Sequence, residues 1–174
     1  TGMMSFSAMA SLNGTYTINA GAAASSSNYK NFASAVGDML SGTRTDGGTS
    51  NGAGITGAVT FNVANGFYTE QVLITSISGA SSKNTITFQS ASGDSTKVSL
   101  EFASSNSSTN NFTVGLSGAK FIRFKKISIT RTGTSFYGSV IEIGSASNYN
   151  QFQSCRIFGS KTATYSTSQS VVMN

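Results

Sequence analysis

The stretch VTFNVANGFYTEQVLI, Val59 to Ile74, decides the fold class. Val59, Phe61 and Val63 alternate with Thr60, Asn62 and Ala64. Successive strand side chains point to opposite faces, so this alternation marks a half-buried strand. Asn65-Gly66 then supplies a turn, and Tyr68, Val72 and Ile74 resume the apolar series. Strand, short turn and second strand make one piece of a coil.

Downstream the piece repeats. Strand-like segments start near Val59, Thr85, Thr113, Val140 and Val171, with gaps of 26, 28, 27 and 31 residues. A second run follows inside each coil: EQVLI, KVSLEF, KFIRFKKISI and NQFQSCRIF. A spacing near 28 that drifts at the turns suits the irregular coils of a β-solenoid. At an offset of 30, Ile122, Phe124, Ile127 and Ile129 align with Phe152, Ser154, Ile157 and Gly159. An inward ladder is expected from Ile86 and Phe88 through Val114 and Leu116 to Ile141 and Ile143. One coil alone cannot bury its apolar face, and stacking does so.

Upstream, Ser11–Asn19 reads as a strand rich in β-formers. Phe32, Ala35, Val36, Met39 and Leu40 then fall on one helical face. Ser27 or Asn28 is expected to cap that helix and Gly42 to end it. The helix would cover the first coil, closing an otherwise exposed end. Thr43–Gly57 reads as a flexible Gly-rich connector; its GGTSNGAG lacks the Lys-Ser/Thr of a phosphate-binding loop.

Composition narrows the classes. The 174 residues suffice for one domain with a sizeable core. Charged residues make up only 10%, against the usual quarter, while 38% are hydrophobic, so the chain is not of the disordered kind. Histidine is absent, which excludes a histidine base or ligand in this segment. Cys155 is the single cysteine, so no intrachain disulfide forms and a zinc site is not expected. No apolar run reaches the length of a membrane span, and no membrane insertion is expected. No cofactor is implied.

The pattern V-x-F-x-V-x-x-G-x-Y-x-E-x-V-x-I, carried by Val59, Phe61, Val63, Gly66, Tyr68, Glu70, Val72 and Ile74, resembles the opening coil of right-handed parallel β-helix proteins of the pectin-lyase-like superfamily. The strand, helix and Gly-rich loop before it look like that family's N-terminal cap. NTITFQSASGDSTKVSL is similar to the second coil of many large secreted surface proteins of Bacteroidetes. The resemblance implies an all-β, right-handed parallel β-helix with an N-terminal capping α-helix. Residues 1–10 are then a signal-peptide remnant or tail, on the strength of Ala8-Met9-Ala10. Residues 11–58 form the cap and 59–174 the coils. Val171–Asn174 looks like the start of another coil, so the chain is expected to be an N-terminal piece of a longer, bacterial, secreted or cell-surface solenoid. Its uncapped coil would then pair with a second copy.

Chemistry is sparser. The resemblance implies two functions: a non-catalytic capping scaffold for adhesion or glycan binding, or the head of a polysaccharide lyase or glycoside hydrolase. Lyases of this fold use clustered acids for calcium with an Arg or Lys base, and hydrolases use paired carboxylates. Asp38, Asp46, Glu70, Asp94, Glu101 and Glu142 are scattered, though Glu70 and Glu101 lie 31 apart (101−70) and could stack. Glu70 is otherwise read as satisfying a turn near the cap. No catalytic or metal-ligating residue is assigned. Lys120, Arg123, Lys125, Lys126 and Arg131 crowd within twelve positions, and Arg156 would lie one coil below Lys126. Lys120, Arg123, Lys125, Lys126 and Arg156 therefore form a candidate stacked ladder for an anionic polysaccharide, or else a solvated face. Aromatics do not interleave these cations and the Phe residues are assigned to the core, so nucleic acid is not expected. Regular threonine ladders on a solenoid would suggest ice binding, but the Thr-x-Thr pairs at Thr15/Thr17, Thr85/Thr87, Thr130/Thr132 and Thr162/Thr164 do not recur at the coil spacing and are read as strand and turn composition.

Overall fold

Alternating apolar residues give short strands, and in the computed structural model these pair side by side in parallel. The structure describes residues 11–133, 135, 137–159 and the strand backbone of 169–173. The proposed signal remnant, residues 1–10, lies outside the described residues. The elements are β1 (Leu12–Ile18), β2 (Asn28–Tyr29), α1 (Phe32–Ser41), β3 (Ile55–Val63), β4 (Gly66–Thr69), β5 (Val72–Ile74), β6 (Ile86–Ser90), β7 (Val98–Ala103), β8 (Phe112–Leu116), β9 (Ile122–Lys125), β10 (Ser128–Thr132), β11 (Ser139–Ile143), β12 (Gln151–Gln153), β13 (Arg156–Phe158) and β14 (Gln169–Met173).

Three sheets result. The first has the order β12-β9-β6-β3-β1-β2, the second β13-β10-β7-β4 and the third β14-β11-β8-β5. From β3 onward the chain visits first, second and third sheet in turn, four times over. Each circuit therefore holds three strands, not the two read from the sequence. Every recorded pairing is parallel and joins a strand to its counterpart in the neighbouring circuit, apart from β1 and β2, which extend the first sheet before the first circuit.

The core lies between the sheets. Tyr16, Phe61, Phe88, Phe124 and Phe152 occupy one column of the first sheet. Their rings form a continuous pile, with centroids 5.7, 5.0, 5.2 and 5.4 Å apart in succession. Such offset pairs stabilise beyond area burial, by about 0.5–1.5 kcal/mol each. Leu100 and Ile129 continue the buried series from Tyr68 in the second sheet. Val72, Val114 and Ile141 form one column of the third. Two sequence expectations are thereby corrected. The fourth circuit follows the third at 28 residues, pairing Phe124 with Phe152 and Ile129 with Ile157, not at 30. The expected ladder also mixes sheets: Ile86 and Phe88 continue to Ile122 and Phe124, while Val114 and Leu116 continue to Ile141 and Ile143.

The helix packs its Phe32, Ala35, Val36 and Met39 face into the core, as its periodicity predicts. Its N-cap is Asn31, whose side chain accepts from the Ser34 amide at 2.8 Å, rather than Ser27 or Asn28. Asn28 is instead drawn into β2, where its amide group donates to the Asn19 and Ala23 carbonyls. Gly42 ends the helix at φ 68°, the left-handed conformation glycine adopts without steric cost. Glu70 reaches from the first circuit to the helix start, its two oxygens accepting from the Phe32 and Ala33 amides at 2.9 and 2.8 Å. Burial pushes this carboxyl up, against the pull of those two amides. A negative group there also complements the helix dipole.

The Gly-rich segment is more tightly held than its composition suggests. Arg44 and Asp46 form an ion pair at 2.8 Å with side chains 1% and 0% exposed. The guanidinium also donates to the Ser25, Asn28 and Thr49 carbonyls and lies 3.9 Å over the Tyr29 ring. Buried Asp38 accepts from the Tyr29 hydroxyl at 2.7 Å and from the Asn51 amide. The flexible connector is therefore replaced by a loop pinned through two buried carboxylates.

Candidate functional site

The basic stretch falls on β9 and its two corners, within the third circuit. Because Ile122 and Phe124 are buried, Arg123 and Lys125 must stand on the outer face of the first sheet. Arg123 lies between Thr87 of the circuit before and Gln151 of the circuit after. Lys125 lies between Gln89 and Gln153 in the same way. Lys120 is exposed at the corner entering β9. Lys126 is exposed at the corner leaving it, with its backbone at φ 53°. Ser154, at the same corner one circuit later, also has φ 53°. A left-handed backbone at a non-glycine residue costs roughly 1–2 kcal/mol.

A groove of about 430 Å³ opens at this second corner. Lys125 and Lys126 form its floor. Gln89 and the Ser90–Gly93 turn bound it on one side, and Gln153 and Ser154 on the other. A Cβ built at Gly93 would stand 3.7 Å from the Lys126 ammonium, so that side chain leans against the turn above it. Gln89 donates to the Asn62 side chain at 2.9 Å and so turns its amide nitrogen away from Lys125. The ion pair recorded among the described residues is Arg44–Asp46, in the cap, so no carboxylate neutralises Lys125 or Lys126.

The five predicted residues do not form one stacked ladder. Lys120, Arg123, Lys125 and Lys126 make a row along a single circuit. Arg156 pairs with Ser128 in the second sheet rather than standing below Lys126, and its guanidinium lies 4.9 Å from the Phe158 ring centroid. The cause is the offset of 28, which moves Arg156 past the corner. Arg131 turns inward and is 2% exposed. It donates to Ser104 Oγ and to the Ser135 and Tyr137 carbonyls, and its Nε has no partner.

The polar banks, Gln89, Ser90, Ser92, Gln151 and Gln153, were not singled out in the sequence. A signal was present: Thr87-Phe88-Gln89, Arg123-Phe124-Lys125 and Gln151-Phe152-Gln153 share a polar-Phe-polar pattern. Aligning on the Phe residues gives the structural register. It also aligns Thr15, Thr60 and Thr87 in one column that ends at Arg123, while among the described residues the Thr-x-Thr pairs do not recur, since Thr17 is followed by Asn62 and Gln89 in the neighbouring column. Aromatics on the outside are a further correction to the assignment of all Phe to the core. Phe67 is 79% exposed on the second sheet, and Phe121 stacks with exposed Tyr149 at 5.0 Å beside Lys120.

The acids do not converge. Both Glu70 oxygens are committed to the helix, while Glu101 accepts from the Thr69 hydroxyl at 3.4 Å. Asp94 accepts from the Thr96 amide and hydroxyl, as a turn residue does; these bonds hold its carboxyl below the usual range, and the Lys97 and Arg156 charges add to the effect. Among the described residues, no three His, Cys, Asp or Glu side chains gather to hold a metal ion. No helix among them is long and apolar enough to cross a membrane. Cys155 is half-buried and burial pushes its thiol up. Comparison with protein-family models, with curated proteins and with solved structures finds no match for this chain.

Proposed function

We propose that the chain is a right-handed parallel β-helix of the pectin-lyase-like kind, serving as the non-catalytic head of an exported, cell-surface scaffold. We propose further that the outer face of its first sheet holds an anionic polysaccharide. The fold reading is supported by three parallel sheets visited in a fixed order over four circuits. The binding reading rests on one observation: Lys125 of β9 and Lys126 at its second corner line a polar groove and form no ion pair among the described residues. Unneutralised charge beside amide and hydroxyl groups suits a ligand that carries both carboxylates and hydroxyls.

The test is retention on an immobilised polyuronate at low and high salt. Wild type should be retained at low salt and released at high salt. The Arg123→Ser/Lys125→Ser/Lys126→Ser variant should elute unretained. Equal retention of both proteins, or none of wild type at low salt, refutes the binding reading.

A further inference from the structure

We infer that the bound polymer lies along β9, across the stack of circuits, with neutral side chains banking it on both sides. This rests on the binding reading above and adds the path of the ligand.

The cations decide the direction. Lys120, Arg123, Lys125 and Lys126 follow one another along one circuit. The residues directly above and below Arg123 and Lys125 are uncharged: Thr87 and Gln89 on one side, Gln151 and Gln153 on the other. A chain running up either of these columns would meet one cation between neutral residues. A chain following β9 would meet a charge at each outward position, with Arg123 and Lys125 roughly 7 Å apart at two strand residues' rise.

The groove fits the same path. Its floor belongs to the third circuit, and its walls belong to the second and fourth. Neighbouring strands stand about 4.8 Å apart, so the strands that carry the two walls lie roughly 10 Å from each other, backbone to backbone, with β9 midway between them. The wall groups suit hydroxyls. Gln89 spends an N–H on Asn62 and keeps its carbonyl oxygen as an acceptor, and the Gln153 amide offers donor and acceptor together. Carboxylates would meet the floor and hydroxyls the banks, which is the chemistry of a linear carboxylated glycan.

The far end of the row provides the test. Lys120 stands at the opposite corner of the sheet from the groove, and six residues of chain put it less than roughly 20 Å from Lys126, because the backbone bends at Phe121 and Lys126. Affinity for polyuronate chains of defined length is measured against salt for wild type, Lys120→Ser, Arg123→Ser and Lys125→Ser. With long chains each substitution should weaken binding up to about fivefold and lower the salt slope by up to roughly one counterion. With chains too short to span the sheet, Lys120→Ser should bind as wild type does. If Lys125→Ser weakens binding while Lys120→Ser and Arg123→Ser match wild type at every length, the chain does not follow β9. The path is then wrong and the binding reading stands. If wild type binds no polyuronate at low salt, both fail.

Discussion

Removing the Phe88 ring tests the whole register at one position. Phe88 is fully buried, with ring centroids of Phe61, Phe124 and Phe32 at 5.0, 5.2 and 5.5 Å. Phe→Ala in a well-packed core costs about 3–5 kcal/mol. Three aromatic neighbours, each contributing about 0.5–1.5 kcal/mol beyond area, put Phe88→Ala at the upper end, near 4–5 kcal/mol. Phe88→Leu keeps apolar volume and loses the stacking geometry, so about 1–2 kcal/mol is expected. Phe152 has one ring partner, Phe124 at 5.4 Å, and is only partly buried, so Phe152→Ala should cost about 1–2 kcal/mol. Urea unfolding with m held constant reads all three. A Phe88→Ala loss below about 1 kcal/mol would refute the register, because a slip of one residue turns every side chain to the other face. A Phe152→Ala cost equal to that of Phe88→Ala would refute the continuous pile.

Two further outcomes concern the cap. Glu70→Ala leaves the Phe32 and Ala33 amides without their acceptors and should lose about 1–3 kcal/mol, read by urea unfolding with helical circular dichroism; a loss under about 0.5 kcal/mol would mean water replaces the carboxylate at no cost. Asp46 titrates in a defined window: burial raises its carboxyl, but hydrogen bonds from Arg44 and from the Lys30 and Gly48 amides prevail and hold it at about 2. Its unfolded value is about 3.9, so the stabilisation is fully present above that pH and is lost as pH falls toward 2, amounting to about 2 kcal/mol. The stability gap between wild type and Asp46→Asn should therefore narrow across pH 4 to 2, and a gap independent of pH would refute this assignment.

The strand content and the helix were legible because each has its own period. Val59, Phe61 and Val63 alternate in twos, and Phe32, Ala35, Val36 and Met39 recur on one helical face, and all are buried as expected. The vertical register was not legible from strand starts. Strand starts alone make Thr85, Thr113 and Val140 equivalent, yet Thr85 precedes a first-sheet strand while Thr113 and Val140 belong to the third. Periodicity reports which residues face inward and says nothing about which sheet they join. Ser27 and Asn28 are cap types as good as Asn31, and only the pairing of Asn28 with Thr17 separates them. Glycine content in the cap loop reports backbone freedom, whereas Arg44 and Asp46 remove that freedom through side chains.

The irregular spacing also locates the groove. In the first sheet, successive circuits are separated by 27, 36 and 28 residues (86−59, 122−86, 151−123). In the third, Val72 and Val114 are 42 apart and Val114 and Ile141 only 27. The strands of the second circuit hold 5, 6 and 5 residues against 4, 5 and 5 in the third, so the second circuit's additional residues sit at its corners, in 91–97 and 104–111. The first of these insertions opens with Ala91, Ser92 and Gly93, which build the upper wall of the groove. Regular circuits would leave a flush corner with nothing to enclose Lys125 and Lys126. Residues inserted between these strands do not disturb the stacked core, since the strands on either side keep their register. They are free to shape a surface. The same insertion that breaks the sequence repeat thus makes the wall beside the cations, and the outward residues of β9 supply the charge.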